Sequence, residues 1–375
     1  MSSIILVCWL FISLALSIYS YGFLDFNLTL SSHPLFLSFV APLQHLVYFD
    51  RPLSVKIYAV LMGLFFLNYC ITLLLSAKGK IIIFPWKPFL SVITILTLAY
   101  PMLSYDVFNY MFHGKILWFY HMNPHLHAPL EFTGDLWLRF MRWVHTPSAY
   151  GPVFTAIESP AYLLGLGKFV PVLFLMKMTM SGFFVWSVYL IGRIGEVLKL
   201  SHSKVVMSQL LIALNPFLLM EVVVNGHNDA VMLALFLLSL LYALRSKLVP
   251  SLFALLLSVG TKFMTALTIP IYFIRSPKLK VWFSFLILLL PVLVSPGRFQ
   301  PWYLVWAIIP AALIDSQIVS IWIVLSSLAG LVFYAPYIAT GFWVNSLQFV
   351  VMIVYLPVLT SGSIWFIKKL WMKTK

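Results

Sequence analysis

The sequence predicts an all-α fold, a polytopic membrane helical bundle of about twelve transmembrane helices, and three observations support this fold class. Of its 375 residues, 62% are hydrophobic and 9% are charged, too few polar residues to cover a water-soluble domain of this length. Several apolar runs, such as residues 57–76 and 229–244, approach the length that a helix needs to cross a bilayer. A strict alternation of apolar and polar residues, which membrane strands require, is absent.

The net charge of +14 is carried mainly by short hinges between the apolar runs. These hinges are residues 77–80, 192–204, 245–247, 275–280 and 368–375. By the positive-inside rule we expect them, and with them both termini, to face the cytoplasm of a multi-pass protein in the plasma or inner membrane. The basic charge therefore indicates topology and attraction to membrane lipids, and it does not predict binding of nucleic acid.

Threading the runs through the membrane predicts a single transmembrane domain, residues 1–375, with one large extracytoplasmic loop at residues 104–168. We expect this loop to carry amphipathic helices at the membrane interface, the second of them starting at Pro152. Lys177 is expected to reach the outer head groups. The run that follows residue 250 is expected to break into two short helices near residues 260–262. The first apolar run, residues 4–20, lacks the basic start and cleavage site of a secretory signal and is interpreted as an uncleaved anchor.

The loop opens with the acidic residue Asp106, in "SYDVFNYMFHGK". On a helix Asp106, Tyr110 and His113 fall on one stripe, which would hold an acid and a histidine over one spot. The alternative is that Asp106 only caps the start of this helix. The sequence alone leaves both interpretations open.

A second polar group, "NGHNDA", lies where one apolar run ends outside and the next begins. Asn-Gly favours a turn, and Asp229 could cap the returning helix. Neither role explains His227 and Asn228. Polar side chains on a membrane hairpin are costly, so this group is a candidate site.

Two cations and three neighbouring side chains complete the outer face. Arg298, in "SPGRFQPWYLVW", is followed by Gln300, Trp302 and Tyr303, and Lys262 is a second outward cation in an apolar run. Trp and Tyr alone would indicate an interfacial belt. An outward Arg suits a phosphate, which its guanidinium binds with two hydrogen bonds.

The loop also contains "HMNPHLH", residues 121–127. Its histidine spacing fits no familiar zinc pattern, and Asn-Pro predicts a turn. We interpret this segment, with Asn123, as a loop that lines the substrate.

The order of these motifs resembles that of the GT-C superfamily of integral-membrane glycosyltransferases, most closely the bacterial polyprenol-phosphate-mannose-dependent α-mannosyltransferases. The resemblance covers about residues 100–306 and rests on "YDVFNYMFHGKI", "NPH", "YGPVF", "NGHNDAVM", "TKFMTALTIP" and "GRFQPWYLVW" in this order. It implies that Asp106 is the catalytic base. The family usually has a second acid beside it, whereas this chain has Ser104 and Tyr105 there. This difference argues against a metal site, so no cofactor is expected.

The resemblance also implies roles for the other candidates. Lys262 and Arg298 match the cations that hold the donor phosphate, and His227, Asn228 and Asp229 would bind sugar or phosphate. The residues expected to orient the base or line the substrate groove are Tyr110, His113, Trp118, Gln300, Trp302 and Tyr303.

The chemistry agrees with these roles. A polyprenyl-phosphate sugar, here expected to carry mannose, has a good leaving group, so cations and one general base suffice to transfer the sugar to a glycan or glycolipid hydroxyl with inversion.

Two other functions fit the same composition. A transporter or flippase of lipid-linked sugars would have a similar number of spans, although such proteins place ionisable groups near the middle of the membrane. An assembly scaffold would use the polar loop as a partner surface.

Overall fold

A computed structural model describes residues 3–343 and 346–373, with side chains as far as Phe366. Within these ranges the regular elements are all helical, which confirms the all-α fold class. The α-helices are α1 (Ser3–Ser20), α2 (Pro34–Phe49), α3 (Arg51–Ala77), α4 (Trp86–Thr97), α5 (Asp106–Trp118), α6 (Pro152–Leu164), α7 (Phe169–Val197), α8 (His202–Ala213), α9 (Pro216–Leu218), α10 (Asp229–Leu244), α11 (Leu248–Val259), α12 (Pro277–Val294), α13 (Leu304–Ala311), α14 (Gln317–Val332), α15 (Ala335–Thr340) and α16 (Leu347–Lys373). A π-helix (Leu219–Val224) follows α9, and 3₁₀ helices lie at Tyr21–Phe23, Pro129–Glu131, Leu136–Phe140, Phe263–Phe273, Pro296–Arg298 and Pro301–Tyr303.

Six helices of the described ranges are long and apolar enough to cross a membrane, which is consistent with an integral membrane protein. They are Ser3–Phe23, Arg51–Ala77, Phe169–Val197, Pro277–Val294, Gln317–Thr340 and Leu347–Phe366. A seventh forms if α8 and the segment Pro216–Val224, which meet at a bend of 42°, count as one span. The expected number of twelve is not confirmed by this measure, because helices such as α4, α10 and α11 are shorter.

The bend after α8 has a local cause at Asn215 and Pro216. Proline has no backbone N–H to continue the helix, and the Asn215 side chain accepts hydrogen bonds from the N–H groups of Phe217 (3.0 Å) and Leu218 (3.3 Å) instead. The π-helix then carries Glu221 into the interior and ends at the Asn-Gly turn, where Gly226 has φ +74°. The predicted turn is confirmed.

The predicted break at residues 260–262 is also confirmed, because α11 ends at Val259 and a 3₁₀ helix starts at Phe263. This break contacts the start of α6. The N–H of Gly151 donates to the Thr261 carbonyl, and the N–H of Val153 donates to the Gly260 carbonyl, both at 3.0 Å. Two backbones can approach so closely only without side chains between them, since a Cβ on Gly151 would lie 2.0 Å from the Gly260 oxygen.

Within the loop, α5 and α6 pack against each other and against α7. Helix α6 begins with Pro152 in its first turn, as predicted. Helix α5 is buried along most of its length rather than lying with one face in water. The loop's position at a membrane interface is therefore not confirmed.

The prediction for Lys177 is wrong. Its side chain is completely buried and does not reach any surface. The ammonium group donates hydrogen bonds to the carbonyls of Leu96, in the last turn of α4, and Ala99, just after this helix. Lys177 thus fixes the chain just before the segment that leads to Asp106.

Candidate active site

Asp106 lies at the centre of a polar group contributed by distant parts of the chain. Its side chain is buried, and its Oδ1 accepts a hydrogen bond from Trp143 Nε1 at 3.2 Å. Its Oδ2 accepts one from the Tyr150 hydroxyl at 3.4 Å and lies 3.7 Å from Nδ1 of His227. The carboxylate therefore faces two neutral donors and one histidine.

The structure does not support the interpretation of Asp106 as a helix cap. Asp106 is the first residue of α5, and in the described part of the chain its carboxylate bonds to side chains rather than to helix N–H groups. The side chain that bonds the helix start is Ser104, whose Oγ accepts from the Asp106 N–H at 3.3 Å. The carboxylate is thus left for other partners.

His227 connects Asp106 with a second buried acid. Its Nε2 lies 3.2 Å from Oε2 of Glu221, and its ring stacks on Trp302 with 4.5 Å between ring centres. Burial lowers the pKa of His227, but the hydrogen bond and charge of Glu221, with the charges of Asp106 and Asp229, outweigh burial and raise it. These carboxylates favour a positively charged imidazolium beside Asp106.

Glu221 is itself fixed by two donors. The Tyr334 hydroxyl donates to its Oε1 at 2.6 Å, and the Asn225 amide donates to its Oε2 at 3.3 Å. The Asn225 oxygen in turn accepts from the Leu103 N–H at 3.1 Å. The π-helix, the Asn-Gly turn and the segment before Asp106 are therefore joined by hydrogen bonds.

Asp229 forms an ion pair and does not cap α10. Its Oδ1 lies 2.8 Å from the Lys262 ammonium and accepts a hydrogen bond from the Trp306 indole. Lys262 also lies over the Trp306 ring, 5.4 Å from its centre. The neighbouring Asn228 is completely buried, and neither of its side-chain polar atoms has a partner within the described ranges.

Two cavities meet at Asp106. The first, here the Arg142 cavity, has a volume of about 310 Å³, and the second, the Lys262 cavity, about 480 Å³. The side chains that line both are Asp106, Trp143, Gln300 and Trp302. A single carboxylate is thus accessible from two spaces that could hold two different molecules.

The Arg142 cavity combines one cation with aromatic walls. Arg142 lies over the Tyr105 ring, 4.5 Å from its centre, and has no carboxylate at ion-pair distance within the part of the chain that the structure describes. Burial raises the pKa of Tyr105 to about 12, so its ring stays neutral. Tyr337 and Trp343 also line this cavity. The charge of Arg142 is available for an anion.

The Lys262 cavity is lined by polar groups that have spare hydrogen-bonding capacity. His113 lies 3.5 Å from the buried Glu158 through Nδ1, and its Nε2 has no partner in the described ranges. The same holds for Oδ1 of Asn109. Burial raises the pKa of Glu158, and His113 opposes this shift. Tyr303 and Trp306 add flat apolar surfaces. Buried polar atoms of this kind usually have partners, which a bound hydroxylated molecule would supply.

The structure brings most of the predicted residues together. Those that line one or both cavities are Asp106, His113, Lys262, Gln300, Trp302 and Tyr303. His227 and Asp229 contact these residues from within the protein. Tyr110 packs edge-on between the rings of Tyr150 and Phe154.

Three predicted residues lie elsewhere. Asn123 and Trp118 line a separate cavity of about 590 Å³ that shares no lining residue with the two at Asp106. Asn123 uses its side chain to accept from the His125 N–H in the predicted turn. Arg298 is exposed and lines neither of the two cavities.

Other residues of the site were missed from the sequence. Arg142 and Trp143 come from the irregular part of the loop, where no local pattern distinguishes them, and Tyr150 begins the "YGPVF" motif but was given no role. Glu221 did carry a signal, because an isolated acid inside the apolar run "FLLMEVVV" must find partners in the interior. Glu158, an acid on the buried side of α6, is a similar case.

The fold is a bundle of helices long and apolar enough to cross a membrane, and its buried carboxylate, Asp106, lines two cavities. A family model described as alpha-(1->6)-mannopyranosyltransferase, N-terminal domain (MptA_B family), matches residues 46–276, which include Asp106, the Asn-Gly turn and Lys262. The chain therefore belongs to this family and is an α-mannosyltransferase, a glycosyltransferase enzyme. The resemblance found in the sequence is confirmed. No curated protein and no solved structure matches the chain significantly.

Proposed function

We propose that the protein transfers mannose from a polyprenyl-phosphate donor to a hydroxyl of a glycan or glycolipid acceptor, on the extracytoplasmic face of the membrane. One observation carries this proposal: Asp106 lines two cavities at once, and one of them offers a cation without a carboxylate partner in the described ranges. A transferase with a lipid-linked donor needs two such spaces on either side of its base.

In this mechanism Asp106 is the general base. It takes the proton of the acceptor hydroxyl while that oxygen attacks the anomeric carbon, and the lipid phosphate leaves with the electron pair of the broken bond. A phosphate needs no proton to leave, so one base is sufficient, and a single displacement inverts the anomeric carbon. His227 lies 3.7 Å from the Asp106 carboxylate, and the hydrogen bonds from Trp143 and Tyr150 hold the orientation of that carboxylate.

The donor phosphate belongs in the Arg142 cavity. Arg142 offers a guanidinium that can bind two phosphate oxygens, while the charge of Lys262 is already balanced by Asp229 at 2.8 Å. The walls of Tyr105, Tyr337 and Trp343 suit the first isoprene units. Arg142 thus takes the role that the resemblance implied for Lys262 and Arg298.

The acceptor belongs in the Lys262 cavity. The unpartnered atoms of Asn109 and His113 can bond sugar hydroxyls, and the faces of Trp302, Tyr303 and Trp306 can stack against a sugar ring. No step of this reaction requires a metal, because cations of the protein itself balance the leaving phosphate.

We propose a single transmembrane domain with about twelve crossings, both termini in the cytoplasm and residues 104–168 outside, in the plasma or inner membrane. Support comes from the helices: besides the six long ones and the bent pair, five of the six shorter apolar helices would bring the number of crossings to twelve. These are Trp86–Thr97, Asp229–Leu244, Leu248–Val259, Phe263–Phe273 and Pro301–Ala311.

The test is transfer of labelled mannose from polyprenyl-phosphate mannose to a mannoside acceptor by the purified protein in liposomes. Asp106→Asn keeps the shape of the side chain and should lower the rate at least about a hundredfold. Asp315→Asn, which changes an exposed carboxylate paired with Lys204, is the control and should behave like the wild type. Wild-type transfer by Asp106→Asn, or movement of the lipid across liposomes without transfer, would overturn the proposal.

A second variant tests the assignment of the two cavities. Arg142→Gln should raise KM for the lipid donor about tenfold or more and leave KM for the acceptor nearly unchanged, because one charge-assisted bond to phosphate is lost. If only KM for the acceptor changes, the two substrates occupy the opposite cavities.

A further inference from the structure

A second cationic cavity lies far from the site, at the other end of α10. Helix α10 begins at Asp229 and runs for 16 residues, about 24 Å, to Leu244. There the turn after α10 meets the end of the 3₁₀ helix Phe263–Phe273 and the start of α12. They enclose a cavity of about 370 Å³, here the basic cavity, lined among others by Leu244, Ser246, Arg275 and Lys280.

Lys280 is the inner cation of the basic cavity. Its side chain is only 8% exposed, and its ammonium donates one hydrogen bond, of 2.6 Å, to the Ile271 carbonyl. An ammonium group has three donors, so two remain for a ligand. Arg275, the outer cation, is exposed and can turn its guanidinium toward the same space.

No acid balances these charges. Residues 230–314 contain no Asp or Glu, and in the described ranges neither Arg275 nor Lys280 lies at ion-pair distance from a carboxylate. The neighbouring hinges add Arg245, Lys247 and Lys278. Two cations that line one cavity, Arg275 and Lys280, repel each other unless an anion binds between them.

The surface around the basic cavity is apolar. Phe273, Val249 and Leu279 are 85%, 77% and 58% exposed, and α12, which is long and apolar enough to cross a membrane, begins at the cavity. A cavity at the end of a membrane helix lies at the level of the lipid head groups. An anion that binds there would place a hydrocarbon tail against these exposed side chains.

We infer that the basic cavity binds the phosphate headgroup of an anionic phospholipid, held by Lys280 and Arg275 with its acyl chains against Phe273 and Val249. This site is independent of the proposed transferase mechanism, because it shares no residue with either cavity at Asp106. It would tie the far end of α10, α11 and α12 to the membrane surface.

The test uses the full-length protein in detergent, titrated with phosphatidylglycerol or phosphatidylcholine, with bound lipid counted by native mass spectrometry. Ser246 has φ +58°, a conformation that Asn and Asp tolerate, so Ser246→Asp and Ser246→Asn form a matched pair. The added carboxylate of Ser246→Asp should lower the affinity for phosphatidylglycerol at least fivefold. Ser246→Asn should bind this lipid with the same affinity as the wild type. Arg275→Gln should also lower the affinity for phosphatidylglycerol about fivefold, because this is the effect of removing one cation near a lipid surface.

Three results would overturn the inference. The first is equal binding of phosphatidylglycerol by Ser246→Asp and Ser246→Asn. The second is a loss of phosphatidylglycerol affinity in Lys80→Gln as large as that in Arg275→Gln. Lys80→Gln removes an exposed cation from a different hinge and therefore measures the effect of general surface charge. The third is displacement of the lipid by inorganic phosphate at the same concentration, which would assign the cavity to free phosphate.

Discussion

Glu221→Gln removes one negative charge from the interior and keeps the shape of the side chain. The carboxylate accepts from Tyr334 and Asn225 and lies 3.2 Å from Nε2 of His227. The new amide can keep the bond from Tyr334, but its nitrogen faces the amide donor of Asn225, and His227 must lose its proton to accept from it. Two contacts to a charge are lost, each worth about 1.5–3 kcal/mol. Because a neutral hydrogen bond offsets part of this loss, we expect the free energy of unfolding to fall by about 3 kcal/mol.

The assay is thermal unfolding of the purified variants in one detergent. For a chain of 375 residues, a loss of this size should lower the unfolding midpoint by roughly 4 °C. Glu196→Gln is the matched control, since this carboxylate is 55% exposed and its surface pair with Arg193 contributes at most about 1 kcal/mol. Equal midpoints for the two variants would refute the reasoning, because they would mean that Glu221 carries no charge-dependent contacts in the folded protein.

Three further predictions follow from the same contacts. Gly151→Ala should be strongly destabilised, by about 3 kcal/mol or more, because its Cβ would collide with the Gly260 backbone, whereas Gly63→Ala, with open space around it, should unfold like the wild type. The pKa of His227 is raised in the folded protein, so its protonation stabilises the fold fully below the ordinary value of 6.5, and this stability is lost as the pH rises through the folded value. The midpoint of thermal unfolding of the wild type should therefore fall as the pH is raised from 6. The midpoint of His227→Gln should fall less, because this variant lacks the contribution of the histidine. Trp143→Phe removes one donor to the carboxylate at the centre of the site, and kcat for mannose transfer should fall about tenfold with unchanged thermal stability; an unchanged kcat would exclude the orienting role.

The sequence predicted those features that residues determine locally. The turn at Gly226, the break after Val259 and the start of α6 at Pro152 are all found where glycine or proline punctuates the chain. The prediction that Asp106 and His113 lie on one side of their helix, near one site, was also correct in part, because both side chains line the Lys262 cavity. These signals need no knowledge of how the helices pack.

Features that depend on packing could not be predicted in this way. Lys262 was expected to be an outward cation that holds the donor phosphate, and its ion pair with Asp229, 33 residues earlier in the chain, was not foreseen. Arg142 was overlooked, because nothing nearby in the sequence indicates that it faces Asp106. Lys177 was expected at a surface, yet carbonyls from another helix offered it a buried position. The position of each of these three side chains depends on contacts between segments that are distant in the sequence.

The hydrogen bonds between Gly151 and Thr261 and between Val153 and Gly260 also restrict how substrates can enter. They join the loop of residues 104–168 to the break that carries Lys262, so we expect these two walls of the Lys262 cavity to move together. Walls without these bonds, such as Tyr337 and Trp343 of the Arg142 cavity, are where we expect movement when a substrate enters.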